Sequence, residues 1–152
     1  MKILLVEDDE MLNEMITEYI NSTGHVIIST KTGQESLEIL DSQKFDLLIL
    51  DISLPDIDGF TILEKMHEQK RMVPTIYISA LIDIEDISRA FDLGCFDYLK
   101  KPFHLKELTL RINKILKTRI VPQRHKRLSK HYSFDSENMT LLFNNEPHIL
   151  PR

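Results

Sequence analysis

Five short apolar runs alternate with five stretches of helical periodicity, and this alternation limits what the chain can become. The runs are Ile3 to Val6, Val26 to Ile28, Leu47 to Leu50, Thr75 to Ile78 and Phe96 to Leu99, each of strand length. Between them Met11, Leu12, Met15, Ile16, Tyr19 and Ile20 form one helical stripe, which Gly24 is placed to end. Leu37 and Leu40 belong to the second, opened by Thr32 with Glu35 three residues on, the spacing of a capping box. Ile62, Leu63 and Met66 follow Gly59; Ile84, Ile87 and Phe91 stop at Gly94; Leu105, Leu108, Ile112, Ile115 and Leu116 make the fifth. Five βα units in series predict an α/β fold, a five-stranded doubly wound parallel sheet, because right-handed crossovers place helices on both of its faces.

In such a sheet ligands sit beyond the carboxyl ends of the strands. The first run releases Glu7, Asp8 and Asp9 there, the third Asp51, the fourth Ser79, and the fifth Lys100 and Lys101. Carboxylates packed at one edge repel unless a cation joins them, and hard oxygen ligands without thiolate or imidazole suit Mg²⁺. A carboxylate beside such a cation can act as a nucleophile toward phosphorus, and Asp51 is the best placed, since it follows a central strand. A lysine would neutralise phosphoryl charge and a hydroxyl would donate to one oxygen. Each residue alone has a plainer explanation. Adjacent acids favour a helix N-terminus, Asp56 and Asp58 serve a loop and helix start with Gly59, and Lys101 beside Pro102 is a surface residue. Their joint placement at the ends of four strands is what points to a site.

Other chemistries fit less well. Neither G-x-x-x-x-G-K-[ST] nor G-x-G-x-x-G occurs, which leaves nucleotide cradles unsupported. A calcium loop aligned on Gly59 fails at Leu54 and Lys65. A dehalogenase-like phosphatase would want an acid where Ser53 stands. The six histidines lack ligand spacing, and one cysteine, Cys95, cannot make an internal disulfide. The longest apolar stretches fall far short of the roughly 20 residues a membrane span needs, and the start turns acidic too early for a secretory signal, so a cytoplasmic protein without membrane association is expected. Residues 1–121 hold 14 Lys+Arg against 21 Asp+Glu, a balance of −7, whereas 122–152 hold 5 against 3, a balance of +2. The first part is thus a poor binder of nucleic acid, and the run Arg124, Lys126, Arg127, Lys130 reads as a solvated linker.

Residues 1 to about 119 resemble the receiver domain of a two-component response regulator, of flavodoxin/CheY-like fold. The resemblance rests on VEDD (6 to 9), LDISLPDIDG (50 to 59), ISA (78 to 80) and DYLKKPF (97 to 103), in receiver order and spacing. It implies that Asp51 is the phosphoacceptor, that Glu7 and Asp8 help hold Mg²⁺ with Asp51 and the backbone carbonyl of Ser53, and that a sensor histidine kinase is the partner. Ser79 matches the hydroxyl residue that contacts the phosphoryl group, Ala80 the small residue beside it, and Lys101 the family's lysine, with a cis Lys101–Pro102 bond. Tyr98 matches the aromatic switch residue, although by itself it reads as an ordinary strand aromatic. No enzyme activity is implied beyond self-phosphorylation and autodephosphorylation at Asp51, and Ser53 and Leu81 stand at positions that influence phosphoryl lifetime in this family.

Beyond residue 119 the resemblance concerns subfamily. Residues 131 to 150, HYSFDSENMTLLFNNEPHIL, alternate in short strands about Asn144-Asn145 and look like the opening antiparallel strands of an OmpR/PhoB-type winged-helix effector. The expected organisation is a receiver over 1–119, a linker over 120–130 and an incomplete DNA-binding domain over 131–152, truncated before a recognition helix, so that promoter DNA is bound only by a full-length protein. Members of this type dimerise through the fourth helix, fifth strand and fifth helix with cross-subunit ion pairs. Asp97, Glu107 and Arg111 match three of the expected charges, while Ile87 replaces a base and Phe96 an acid. The leading expectation is a phosphorylation-controlled regulator of transcription. The alternatives are a phosphorylation-independent dimerisation module and a single-domain regulator that docks a protein partner.

Overall fold

A computed structural model describes residues 1–80, 83–120, 125–127, 132–135, 140–143 and 146–147, the side chains only as far as residue 118. Five strands, β1 (Lys2–Val6), β2 (Val26–Thr30), β3 (Leu47–Asp51), β4 (Thr75–Ser79) and β5 (Asp97–Lys100), alternate with α1 (Glu10–Ser22), α2 (Gly33–Ser42), α3 (Gly59–Glu68), α4 (Ile84–Asp92) and α5 (Leu105–Ile120). The strands form one sheet in the order β2-β1-β3-β4-β5, every pairing parallel. This is the doubly wound arrangement expected from the alternation of runs and stripes. The chain order reverses between β1 and β3, the position where a cleft opens beyond the strand ends.

The central strands owe their place to composition. Leu47 to Leu50 in β3 are each 1% exposed or less, and so are Ile76 to Ile78 in β4. A side chain of this kind stabilises by about 1.5–3 kcal/mol when fully buried. Four in succession therefore outweigh the cost of ending β3 on a carboxylate that has charged partners. The edge strand β2 is less apolar and less covered, with Val26 exposed and Thr30 buried.

Local chemistry sets the helix ends. Asp9 caps α1 by accepting from Leu12 N at 2.8 Å, and Asp58 caps α3 by accepting from Thr61 N at 2.8 Å. Thr32 Oγ1 accepts from Glu35 N at 3.2 Å, but the Glu35 carboxylate reaches Lys31 N rather than the Thr32 amide, so the capping box is half formed. Gly24 and Gly94 have φ of 88° and 84° and stop α1 and α4, conformations that cost a side chain more than they cost glycine.

Two stripes differ from expectation. In α1 the buried positions are Asn13, Ile16 and Ile20, while Met11 and Met15 face solvent, because a helix lying on one face of a sheet covers only the narrow stripe directly beneath it. In α4 only Ala90 is buried; Ile84 is 81% and Phe91 51% exposed and Ile87 is half-buried, so most of its apolar stripe faces away from the core. In α3, by contrast, Phe60, Ile62, Leu63 and Met66 are buried.

The chain divides into two units, Met1–Ile112 and Asn113–Arg152, the division falling within α5. The second contains β6 (His125–Arg127), β7 (Tyr132–Asp135), β8 (Thr140–Phe143) and β9 (Glu146–Pro147), an antiparallel sheet in that order. β6 lies within the segment expected to be a linker. The Asn144-Asn145 turn, Arg124, Lys130 and Leu81 lie outside the described residues.

Candidate functional site

The register of the sheet sets the strand ends level. Val6 pairs with Leu50, Asp51 with Ile78, and Ser79 with Lys100. The next residues along β1 and β5, Glu7 and Lys101, therefore emerge beside Asp51 at the reversal point. Lys101 N donates to Ser79 O at 2.8 Å, which extends the β4–β5 ladder by one step, and the Lys101–Pro102 peptide is cis.

The acidic run divides into three roles. Glu7 is fully buried, Asp8 is exposed at the mouth of the cleft, and Asp9 caps α1. Carboxylate oxygens of Glu7, Asp8 and Asp51 all lie within 4.8 Å of one another. Asp51, 3% exposed, has Oδ1 held by Ser53 N at 2.9 Å, which fixes the plane of its carboxylate. Its Oδ2 lies 2.7 Å from Lys101 Nζ, and that ammonium is also 2.7 Å from Glu7 Oε2. The contact to Glu7 has ion-pair distance without hydrogen-bond alignment, so Glu7 Oε2 is a buried oxygen lacking a directed donor. Its partner Oε1 accepts from Asp9 N at 3.0 Å.

These placements perturb both ends of the pair. Burial raises the Glu7 carboxyl above its ordinary 4.5, and the nearby charge of Asp51 adds to the rise, against the opposing pull of Lys101 and the Asp9 amide. Burial alone would lower Lys101, but its hydrogen bond to Asp51 and the negative charges of Asp51 and Glu7 prevail and raise it. One ammonium thus faces two buried carboxylates and a third at the surface. That excess of hard oxygen donors, one without a directed proton, fits a small divalent cation such as Mg²⁺, which Glu7, Asp8 and Asp51 could hold.

The remaining expected residues fall on the same edge. Ser79 is buried at the end of β4. Tyr98 in β5 packs half-buried against the core and hydrogen-bonds Ser79; burial raises its phenol, and the bond to Ser79 pulls the other way. Ser53 meets Asp51 through its amide and is itself exposed. Asp97, Glu107 and Arg111 come together within the chain, Arg111 Nη1 lying 2.7 Å from Asp97 Oδ1 and Nη2 3.0 Å from Glu107 Oε1.

Several residues shape the site through contacts that the sequence does not show. Asp56 accepts from Gly33 N and Gln34 N, both at 2.8 Å, and so fastens the loop after β3 to the start of α2 rather than to its own helix. Asn13 bridges the ends of β1 and β2 through Glu7 O and Thr30 O at 2.9 and 3.2 Å. A Cβ on Gly59 would come 2.5 Å from the carbonyl oxygen of Asp51, so only glycine lets α3 begin directly over the phosphoacceptor candidate. The Tyr77 hydroxyl donates to Gly59 O at 2.9 Å and holds that turn from below.

Comparison with known proteins agrees with this geometry. Residues 3–113 match the family described as the response regulator receiver domain. The response regulator SaeR of Staphylococcus aureus is 35% identical over 133 residues, covering 88% of this chain and 57% of that protein. The chain thus spans little more than half the length of the curated relatives it matches. Among solved structures, the non-phosphorylated receiver domain of HemR from Leptospira biflexa is 34% identical, with a TM-score of 0.72, over 76% of this chain and 93% of that one. DrrB, a Thermotoga maritima OmpR/PhoB homologue, is 25% identical with a TM-score of 0.70 over 99% of this chain and 66% of that one. Among the described residues no helix is long and apolar enough to cross a membrane.

Proposed function

The chain belongs to the response regulator receiver domain family, and on that premise we propose that Asp51 accepts a phosphoryl group from a partner histidine kinase. The supporting observation is the convergence of Glu7, Asp8, Asp51 and Lys101, with one ammonium shared by two buried carboxylates. In this reading a carboxylate oxygen of Asp51 attacks phosphorus, the new P–O bond forms as the P–N bond to the kinase imidazole breaks, and the imidazole leaves. Ser53 N–H keeps the nucleophile oriented, which removes part of the entropic cost of attack. Lys101 transfers its contact from Asp51 Oδ2 to a phosphoryl oxygen, and the Ser79 hydroxyl donates to another. Bound by Glu7, Asp8, Asp51 and the Ser53 carbonyl, Mg²⁺ would supply charge neutralisation at the phosphoryl oxygens. Hydrolysis of the acyl phosphate by water returns the carboxylate, the only turnover this reading assigns.

Recruitment of Ser79 to the phosphoryl group alters its bond to Tyr98, which carries the event to the face built from α4, β5 and α5. That face is read as the homodimer surface. Transcriptional control through promoter DNA is proposed for a longer architecture such as that of the relatives. Incubation with phosphoramidate and Mg²⁺ tests the central step: wild type gains one acid-stable, hydroxylamine-labile phosphoryl group, while Asp51→Asn and metal-free samples gain none. Equal labelling of Asp51→Asn would refute it.

A second reading, a dimerisation module indifferent to phosphorylation, draws support from the closed Asp97–Arg111–Glu107 cluster, whose charges are neutralised inside one chain. It predicts the same oligomeric state with and without beryllofluoride.

A further inference from the structure

Helix α4 begins five residues after Ser79. Ala90 is its only buried residue; Ile84 and Phe91 face solvent and Ile87 is half-buried. Arg89 lies in its last turn. Its Nη2 lies 2.8 Å from Glu64 Oε1 on α3, and its guanidinium carbon stands 4.5 Å from the centre of the Phe60 ring. Phe60, 4% exposed, meets Tyr77 with centroids 5.5 Å apart at 60°. Tyr77, fully buried, holds Gly59 O, Gly59 N donates to Ile52 O at 2.9 Å, and the backbone of Gly59 lies so close to the Asp51 carbonyl that no Cβ fits between them. A continuous series of contacts therefore runs from α4 to the residue that takes the phosphoryl group, and it passes through neither Ser79 nor Tyr98.

We infer that Arg89 is a positioning residue, a clip that holds α4 against α3 and so couples the position of α4 to the phosphoacceptor through Phe60, Tyr77 and Gly59. The inference rests on the receiver reading above. An exposed ion pair or a cation over a ring is individually weak. On a helix with one buried side chain even a weak restraint shifts the balance between arrangements, and a site that biases α4 must feel α4 in return. The phosphoryl group draws on Ser79, which leads directly into the α4 segment, whereas the clip retains α4 where it lies. Releasing the clip therefore favours the phosphorylated form.

Beryllofluoride, titrated by calorimetry in saturating Mg²⁺, measures this coupling. Arg89→Ala and Glu64→Ala should each tighten binding at least about threefold. The double variant should tighten it by less than the product of the two, because both release one clip. Arg89→Lys, which keeps the charge for Glu64 but not the guanidinium over the Phe60 ring, should fall between wild type and Arg89→Ala. Melting temperatures identify variants that are merely unstable, and Glu64→Gln provides a second way to open the ion pair. Affinities equal to wild type in folded variants would overturn the coupling alone. A wild type that does not bind beryllofluoride in an Asp51-dependent manner would remove the receiver reading and this inference with it.

Discussion

Glu7 and Asp51 end two neighbouring strands, and neither can be understood without Lys101. Two buried acids with one shared ammonium leave a surplus of negative charge, and the rise in the Glu7 carboxyl reflects the cost of keeping it ionised. Because its folded value lies above the ordinary 4.5, protonation favours the folded state, so this cost is present at neutral pH and is relieved as pH falls through the raised value. Glu7→Gln should accordingly stabilise the protein at neutral pH by about 1 kcal/mol while removing a metal ligand. Thermal melts with and without Mg²⁺ check both halves: the ion raises the midpoint of wild type and leaves that of the variant unchanged. Loss of stability in Glu7→Gln would mean that the pocket is held together by its acid rather than strained by it. The sequence makes these residues legible because they follow apolar runs directly, and a parallel sheet collects strand ends. It also separates Asp9 from Asp8 poorly: both look like helix-start acids, and only the bond to Leu12 N shows which one is the cap.

In the loop after β3, two acids of the same kind serve different helices. Asp56 and Asp58 look equivalent, two residues apart, yet Asp58 caps α3 while Asp56 reaches the first amides of α2. No local pattern encodes a partner 23 residues away. The same holds for Arg89, whose ring and carboxylate partners lie on α3, and for the α4 stripe, whose helical periodicity is real but whose burial depends on how the helix is set against the sheet. Asp56 also carries a pH signature. Burial works against its charge, but the amides of Gln34 and Gly33 outweigh it and lower the carboxyl below the ordinary 3.8. A lowered carboxyl contributes stability that is full above 3.8 and disappears as pH falls through the folded value. Asp56→Ala should cost about 1 kcal/mol at neutral pH, as loss of a helix cap does. Denaturation at a series of pH values should show wild type and variant converging in acid below 3.8. A constant difference across that range would mean that the amides are held by something other than the carboxylate charge.

For the molecule as a whole, a parallel sheet with helices on both faces follows from five apolar runs and the handedness of their connections, whereas the order β2-β1-β3-β4-β5, and with it the position of the cleft, depends on which strands pair and is not written in the runs. The division of charge, −7 over residues 1–121 and +2 beyond, is plain in the sequence, but the pairing of individual charges is not. Asp97, Glu107 and Arg111 satisfy one another within the chain, Ile87 stands where a base is expected, and Ile84, Phe91 and Leu110 are exposed apolar residues on α4 and α5. A dimer formed through this face should depend on apolar burial more than on cross-subunit ion pairs. Its dissociation constant, measured by sedimentation with beryllofluoride present, should change less than about threefold between about 0.1 M and about 1 M salt. A steep weakening with salt would restore the ionic interface expected from the family resemblance.

The protein has no tryptophan and only four tyrosines. One of these, Tyr98, shares a hydrogen bond with Ser79 and feels the charge of Asp51, whereas another, Tyr77, is sealed in the core at some distance from solvent. The chain thus carries an optical probe of its own beside the phosphoacceptor, so the part of the ultraviolet emission lost in Tyr98→Phe can follow the site in real time without a grafted dye.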